Sequence, residues 1–270
     1  MSSLVSVCIP VYNSEKTIRA TLESALKQTY SNIEVIVVDN CSTDNTWHII
    51  NSFSDSRVKK FRNDNNIGML RNWNKCLEYA TGVYVHFLCG DDIIVPDCIE
   101  KKVFLADTDG AISLVFSASE IINESDKVVL TRKQFSKNCV LDGERLAKKS
   151  FYSKNIYGEP SNVLFRRKLL DNVGAFNTNL FYTPDWEMWM RLSVIGKVGY
   201  ICEPLMKYRI SKVNCTSGLS VKKKLQDDKL FMETLRKCGT LNFGLVSSVY
   251  HHLIILVRTY ARLIFMKVRS

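Results

Sequence analysis

The sequence lacks the marks of a disulfide scaffold or a zinc site. Its nine cysteines are an odd number, run from Cys8 to Cys238 without a CxxC pair, and do not cluster with the four histidines. Reduced thiols in a cytosolic setting are expected. Also missing are GxGxxG and GxxxxGK(S/T), which excludes the dinucleotide fingerprint and the P-loop. The N-terminus has no basic segment ahead of its first apolar run, so no secretory leader is expected. Near the C-terminus Arg258 and Arg262 interrupt the apolar residues, which excludes an ordinary transmembrane helix there.

What the chain does have is enough apolar material for a core: 46% of its 270 residues are hydrophobic. The formal charge of +10 is unevenly placed. From Leu205 onward thirteen Lys/Arg stand against three Asp/Glu, an excess of ten, while the first 204 residues carry 24 of each sign. A basic tail on a neutral body points to an anionic surface, either phospholipid or nucleic acid. Within that tail, residues 245–268 place Val246, Val249, Leu253, Val257 and Phe265 on one face, with His251, His252, Arg258 and Arg262 opposite. Such a helix either lies in a bilayer interface or packs on the body. Its aromatic residues share the apolar face, which argues against a nucleic-acid stacking platform.

The first ninety residues alternate strand and helix. Leu4 to Val11 is an apolar strand ending at Tyr12-Asn13; Ser14 then caps a helix carrying Ile18, Leu22, Ala25 and Leu26. Ile33 to Val38 is a second strand, apolar but for Glu34, that ends in Asp39, and Asn40 to Thr46 opens the next helix. Val58 to Phe61 makes a third strand, Asn63 to Gly68 a polar loop, and Met69 to Tyr79 a helix with Leu70, Trp73 and Leu77 inward. A fourth strand, Val83 to Leu88, stops at Gly90 and two adjacent carboxylates, Asp91 and Asp92. This is the pattern of a Rossmann-like, doubly wound, mostly parallel α/β sheet with helices on both faces. Right-handed crossovers bring Asn13, Asp39 and Asp92 to one rim, where open sheets bind ligands. Two hard oxygen ligands there suit a divalent cation carrying a diphosphate; the bland alternative is a solvated turn.

Beyond Pro96 the alternation is less regular. Ala111 to Ile122 and Lys127 to Thr131 read as a hairpin, Leu141 to Phe151 as a helix, Asn155 to Ser161 as a loop, and Asn162 to Phe165 as a strand. Thr183 to Leu192 begins a helix with Pro184 in its first turn and Asp185 and Glu187 near the positive end of its dipole, which predicts an ionised Asp185. Trp186, Trp189 and Met190 read as packing residues.

Five segments resemble, in order and spacing, family 2 glycosyltransferases of the GT-A fold. They are Val5 to Asn13, Glu34 to Asp39 with Ser42-Thr-Asp44, Asn66-Ile-Gly68 with Arg71-Asn72, Gly90-Asp-Asp92, and Asp185-Trp-Glu-Met-Trp-Met-Arg191. The resemblance implies a GT-A domain over residues 1–212, with a nucleotide-binding half at 1–95 and an acceptor-binding half at 96–212, followed by a basic helical extension at 213–270. It implies that Pro10, Tyr12, Asn13, Asp39 and Asp44 surround the nucleotide, that Arg71 approaches its phosphates and that Asp91 meets its ribose. Asp92 would ligate Mn²⁺ or Mg²⁺, and Asp185 would be the general base of an inverting transfer. The donor it implies is a nucleotide-sugar, with UDP expected, and the acceptor a saccharide or lipid-linked hydroxyl used in cell-surface polysaccharide synthesis of the O-antigen type. The chain departs from the family at Cys89, where a further Asp is common, and at Ser211, where a His often follows Tyr-Arg-Ile. The resulting expectation is a cytoplasmic enzyme, peripheral at the inner membrane face and not a nucleic-acid binder. The competing reading is a non-catalytic binder of sugar nucleotides or nucleic acid.

Overall fold

Alternating apolar residues sort the first strands onto two faces. Val5, Val7, Ile9 and Val11 join one buried cluster with Ile33, Val35 and Val37, whereas Cys8, Ile36 and Val38 join a second. In this computed structural model, which describes residues 2–210, 220–237 and Leu253, the first half runs β1 (Val5–Val11), α1 (Ile18–Leu26), β2 (Ile33–Asp39), α2 (Thr46–Asn51), β3 (Val58–Arg62), α3 (Met69–Tyr79) and β4 (Tyr84–Phe87). All four strands are parallel, in the order β3-β2-β1-β4. β1 and β2 are buried along their whole length because helices cover both faces. α1 seals the first cluster with Ile18, Leu22 and Ala25; α3 seals the second with Leu70, Trp73, Cys76 and Leu77. Each of the Leu and Ile side chains among them contributes about 1.5–3 kcal/mol on burial.

Glu34, the polar interruption in β2, is a tie between segments. Its carboxylate accepts from the Ser6 hydroxyl at 2.6 Å and from the Thr81 backbone N–H at 2.7 Å, and it pairs with Lys59. Burial would raise its pKa, but Lys59, Ser6 and Thr81 outweigh burial and hold it at about 2.

The second half continues with β5 (Ile93–Ile94), α4 (Cys98–Asp107), β6 (Ile112–Ile122), β7 (Val128–Arg132), β8 (Cys139–Asp142), α5 (Gly143–Tyr152), β9 (Val163–Arg166), α6 (Leu170–Val173), α7 (Pro184–Val194), β10 (Lys197–Arg209) and α8 (Val221–Lys237). The sheet extends as β4-β9-β6-β10-β5. β9 runs antiparallel to both β4 and β6, and β10 runs parallel to β6, so the sheet is mixed but mostly parallel. The expected hairpin is β6 with β7, paired antiparallel.

Three differences from the sequence reading have physical causes. Ser14 does not cap α1, which starts at Ile18: its hydroxyl turns back to donate to the Tyr12 carbonyl at 3.3 Å, and its carbonyl closes a turn with Thr17 and Ile18. Residues 141–142 finish strand β8, and α5 begins at Gly143, capped by Asp142 accepting from the Arg145 N–H at 2.8 Å. β10 is hidden in the sequence because Gly199 and Pro204 interrupt its apolar run; Gly199 stays in register with Val115, and register shifts between Ile201 and Met206 accommodate Pro204.

α8 falls within the range expected to be an extension, but Phe231, Met232 and Leu235 belong to the same buried cluster as α3, α5 and α7. No helix among the described residues is long and apolar enough to cross a membrane. The helix read over 245–268 lies outside the described residues, Leu253 apart, and so does Ser211.

Candidate active site

Pro10 interrupts β1 without breaking the sheet. The Cys8 carbonyl accepts from Leu88 on the β4 side, so residue 10 faces that side too, and β4 pairing ends at Cys8. The missing N–H is therefore not needed. Beyond it, the loops after β1 and β2 lock together. Asn13, at φ 49°, donates its N–H to the Ser42 hydroxyl at 2.9 Å and accepts from the Thr43 N–H at 2.9 Å. Asp44 accepts from the Glu15 and Thr46 N–H groups at 3.1 and 2.9 Å. Burial would raise Asp44, but these donors outweigh it and hold the carboxyl below its ordinary value. Tyr12 is left 46% exposed at the rim.

Asp39 is fully buried, and its carboxylate accepts from the Ser42 N–H and hydroxyl and pairs with Arg62 at 3.1 Å. In this conformation it organises the 40–46 loop from beneath. A lattice of amides steadies the neighbouring loop: Asn40 Oδ1 accepts from Asn63 and the Ile67 N–H at 3.0 Å, and Asn40 donates to Asn66 at 2.8 Å. That loop leads through Gly68 into α3, where Arg71 is exposed in the first turn.

The acidic turn is gripped from three sides. α1 holds its backbone, Thr17 donating to the Gly90 carbonyl at 2.8 Å and Thr21 to the Asp92 carbonyl at 2.9 Å. Ser161, in the 3-10 turn Pro160–Asn162, donates its hydroxyl to Asp92 Oδ2 and accepts from the Cys89 N–H. β10 completes the grip, with the Arg209 N–H on Asp92 Oδ1 at 3.0 Å and Arg209 Nε on the Asp91 carbonyl at 2.9 Å. Gly90 is required for space: a Cβ would lie 2.7 Å from Val11 Cγ1.

Asp92 is 1% exposed, and neither Asp91 nor Asp92 has a side-chain ion pair among the described residues. Burial raises both carboxyls, and the Asp91 charge pushes Asp92 further up. One ligand atom each from Cys89, Asp91 and Asp92 lies within 4.8 Å of the others. Two adjacent carboxylates, one fully buried and neither ion-paired among the described residues, fit a hard divalent cation, with the nearby Arg209 charge drawing Asp91 alone downward. Cys89 fits it poorly, because burial and the two acids hold its thiol protonated.

Asp185 sits one residue after Pro184 in the first turn of α7, and its Oδ2 accepts from Asn155 Nδ2 at 3.2 Å. Burial pushes its carboxyl up to about 7, overcoming the backbone N–H groups of the helix start and Asn155. This corrects the expectation of full ionisation, which weighed the helix dipole without desolvation. Glu187 points elsewhere: fully buried, it pairs with Arg191 at 2.7 Å, and Arg191 in turn donates to the carbonyls of Val173, Gly174 and Ala175.

Two residues of the cleft were not singled out from the sequence. Ser161 joins the 155–161 loop to Asp92. Glu159 pairs one carboxylate oxygen with Arg132, leaves the other buried without a partner, and its charge raises both Asp92 and Asp185. Pro160, which opens the turn carrying Ser161, was the available signal. A cavity of about 250 Å³ lined by Ser117, Arg132, Gln134, Lys154, Asn155 and Asn162 adjoins Asp185 through Asn155.

The profile of glycosyl transferase family 2 matches residues 6–174, which spans β1 to the end of α6. The chain belongs to that family. This family 2 enzyme is 30% identical over 239 residues to WfgD of Escherichia coli, named as a UDP-Glc:α-D-GlcNAc-diphosphoundecaprenol β-1,3-glucosyltransferase, covering 84% of this chain and 85% of WfgD. It is 31% identical over 216 residues to an uncharacterized protein of Mycobacterium tuberculosis, covering 73% of this chain and 64% of that protein. Its fold matches that of Staphylococcus aureus TarS 1–349, solved with UDP-GlcNAc, at a TM-score of 0.75 and 20% identity over 95% of this chain and 72% of TarS 1–349. A mannosyltransferase of Pyrobaculum calidifontis, solved with GDP-Man and Mn²⁺, matches at 0.62 with 16% identity, covering 97% of this chain and 76% of that one. The family 2 enzyme therefore has the GT-A fold read from its sequence, and it is a glycosyltransferase. The reading as a non-catalytic binder is overturned by this membership.

Proposed function

We propose that this enzyme transfers a sugar from a UDP-sugar, with inversion, to a hydroxyl of a saccharide or lipid-linked acceptor at the cytoplasmic face of a membrane, in synthesis of a cell-surface polysaccharide of the O-antigen type. The observation that carries it is the pairing of an acidic turn, its Asp92 buried and neither acid ion-paired among the described residues, with a carboxylate, Asp185, lifted to about 7 across the same cleft. WfgD and TarS, through their named substrate and bound ligand, support UDP as the nucleotide.

In this reading Pro10, Tyr12, Asn13, Asp39 and Asp44 shape the nucleotide site, Arg71 approaches the phosphates and Asp91 accepts a ribose hydroxyl. Asp92 would hold Mn²⁺ or Mg²⁺, which, when bound, offsets the charge that grows on the departing diphosphate. Asp185 takes the proton of the acceptor hydroxyl as that oxygen attacks the anomeric carbon from the face opposite UDP. A carboxyl near 7 is matched to that task, since at neutral pH it is ionised in a large share of molecules and still basic enough to accept a proton. The cavity beside Asn155, with Arg132 and Lys154 in its wall, suits an acceptor that brings hydroxyls and negative charge. Residues 245–270 supply the membrane contact.

UDP release from UDP-sugars in the presence and absence of Mn²⁺ tests the reading. Release that requires Mn²⁺ and rises on adding a polyprenyl-diphosphate sugar supports it. Tight UDP binding without turnover on any donor refutes it.

A further inference from the structure

Thr183 stands at the N-cap of α7, yet its side chain makes no capping bond to its own helix. The backbone N–H groups of residues 181–183, just ahead of Asp185, are taken by a residue more than forty positions away. Asp227, in the second turn of α8 and 7% exposed, accepts from the backbone N–H of Phe181, from those of Tyr182 and Thr183 at 3.0 Å each, and from the Thr183 hydroxyl at 2.9 Å. On the far side of Asp185, Phe231 of α8 packs its ring 5.0 Å from that of Trp186. Asn177 donates to Thr234, also on α8, at 3.0 Å. α8 thus grips the chain on both sides of Asp185 without touching the carboxylate itself.

We infer that Asp227 is a positioning residue that sets the placement of Asp185, so that the helix beyond the sheet takes part in transfer. The inference rests on the reading of Asp185 as the base. A carboxylate meeting three consecutive N–H groups makes charge-assisted bonds, stronger than those a neutral acceptor would give. An amide cannot replace it, because an asparagine has one accepting oxygen and turns an NH₂ group toward the same donors. Asp227→Asn nevertheless keeps the size of the side chain and leaves the apolar seats of Phe231, Met232 and Leu235 untouched.

The test uses the full 270-residue chain, UDP-glucose and Mn²⁺, with water as acceptor, and follows UDP release. In that step a water oxygen bonds to the anomeric carbon, the bond from that carbon to the diphosphate breaks with its electron pair leaving on UDP, and the water proton passes to Asp185. Asp227→Asn is expected to leave KM for UDP-glucose unchanged and to lower kcat roughly 10–100-fold, the scale of loss from a misplacement of about 1 Å. Asp227→Glu, which keeps the carboxylate, is expected to recover part of kcat and stands in if the asparagine variant does not fold. Hydrogen exchange at the amides of Tyr182 and Thr183 is expected to quicken in Asp227→Asn. A folded Asp227→Asn with wild-type kcat, or with kcat and KM worsening together as Tm falls, overturns the inference. If the wild-type chain releases no UDP from UDP-glucose, the donor reading is what fails; faster exchange at the two amides then still supports the clamp, and unchanged exchange overturns it.

Discussion

The two sides of the cleft are held by different means. On the proposed nucleotide side the loops after β1 and β2 bond to each other, Asn13 to Ser42 and Thr43, Glu15 to Asp44, so these two loops find support within their own strand-helix units. On the proposed acceptor side the segment carrying Asp185 borrows its support from Asn155 and from Asp227 on α8. The loops after β1 and β2 should withstand changes in the second half of the chain; the acidic turn, closed by Ser161 and Arg209, and the segment carrying Asp185 should feel them. Donor affinity and transfer rate should therefore respond to different sets of substitutions.

The largest expected effect is at Asp185. Asp185→Asn should leave Mn²⁺-dependent UDP affinity intact and lower transfer roughly 10²–10⁴-fold, the range for removing a positioned proton acceptor; calorimetry beside a transfer assay checks it. A parallel loss of UDP affinity would break the division between the two sides. The pH dependence sharpens the same point. Since the base must be deprotonated, transfer should rise as pH passes through about 7, and this limb should vanish in the residual activity of Asp185→Asn. Stability runs the other way: a carboxyl raised on folding binds its proton more tightly than in the unfolded chain, so this group costs stability as pH climbs from the ordinary carboxylate range to about 7. Metal-free Asp185→Asn should consequently melt higher than wild type above pH 7.

Glu187→Gln should cost about 3–5 kcal/mol of folding stability by leaving Arg191 buried without its counter-charge, seen as a lowered Tm. The fraction that remains folded should transfer normally; if it is dead and Asp185→Asn is near normal, the base is on the wrong carboxylate. Asp39→Ala should weaken UDP binding by about 1–3 kcal/mol by freeing Ser42 and Arg62, with kcat at saturating donor unchanged. Smallest is Thr21→Val, which removes one bond to the Asp92 carbonyl; a loss of about 0.5–1.5 kcal/mol in Mn²⁺–UDP affinity is expected by calorimetry.

The same contrast governs what was legible in the sequence. β1 to β4 and α3 were read because their signals are local: unbroken Val/Ile runs, acids at strand ends, and helical spacing at Leu70, Trp73 and Leu77. The five family segments and Pro184 pointed to both sides of the cleft. What escaped depends on residues far apart in the chain. Ser161 reaches Asp92 across 69 positions, and nothing in a loop sequence announces such a pairing. β10 escaped because Pro204 breaks the pattern that the neighbouring strand tolerates through shifted register. Asp185 lies in the first turn of the expected helix, but its carboxyl sits higher than the helix dipole alone gives, since desolvation is set by the residues that close around the side chain.

The Arg209 N–H that closes on Asp92 lies 117 positions downstream. During synthesis, at 5–20 residues per second, that gap is on the order of 6–23 s. For that interval a nascent chain carries the loops after β1 and β2 beside an acidic turn that still lacks β10 and, for its first 69 positions, Ser161 as well. A truncated product ending before β10 is accordingly expected to bind the proposed sugar nucleotide weakly.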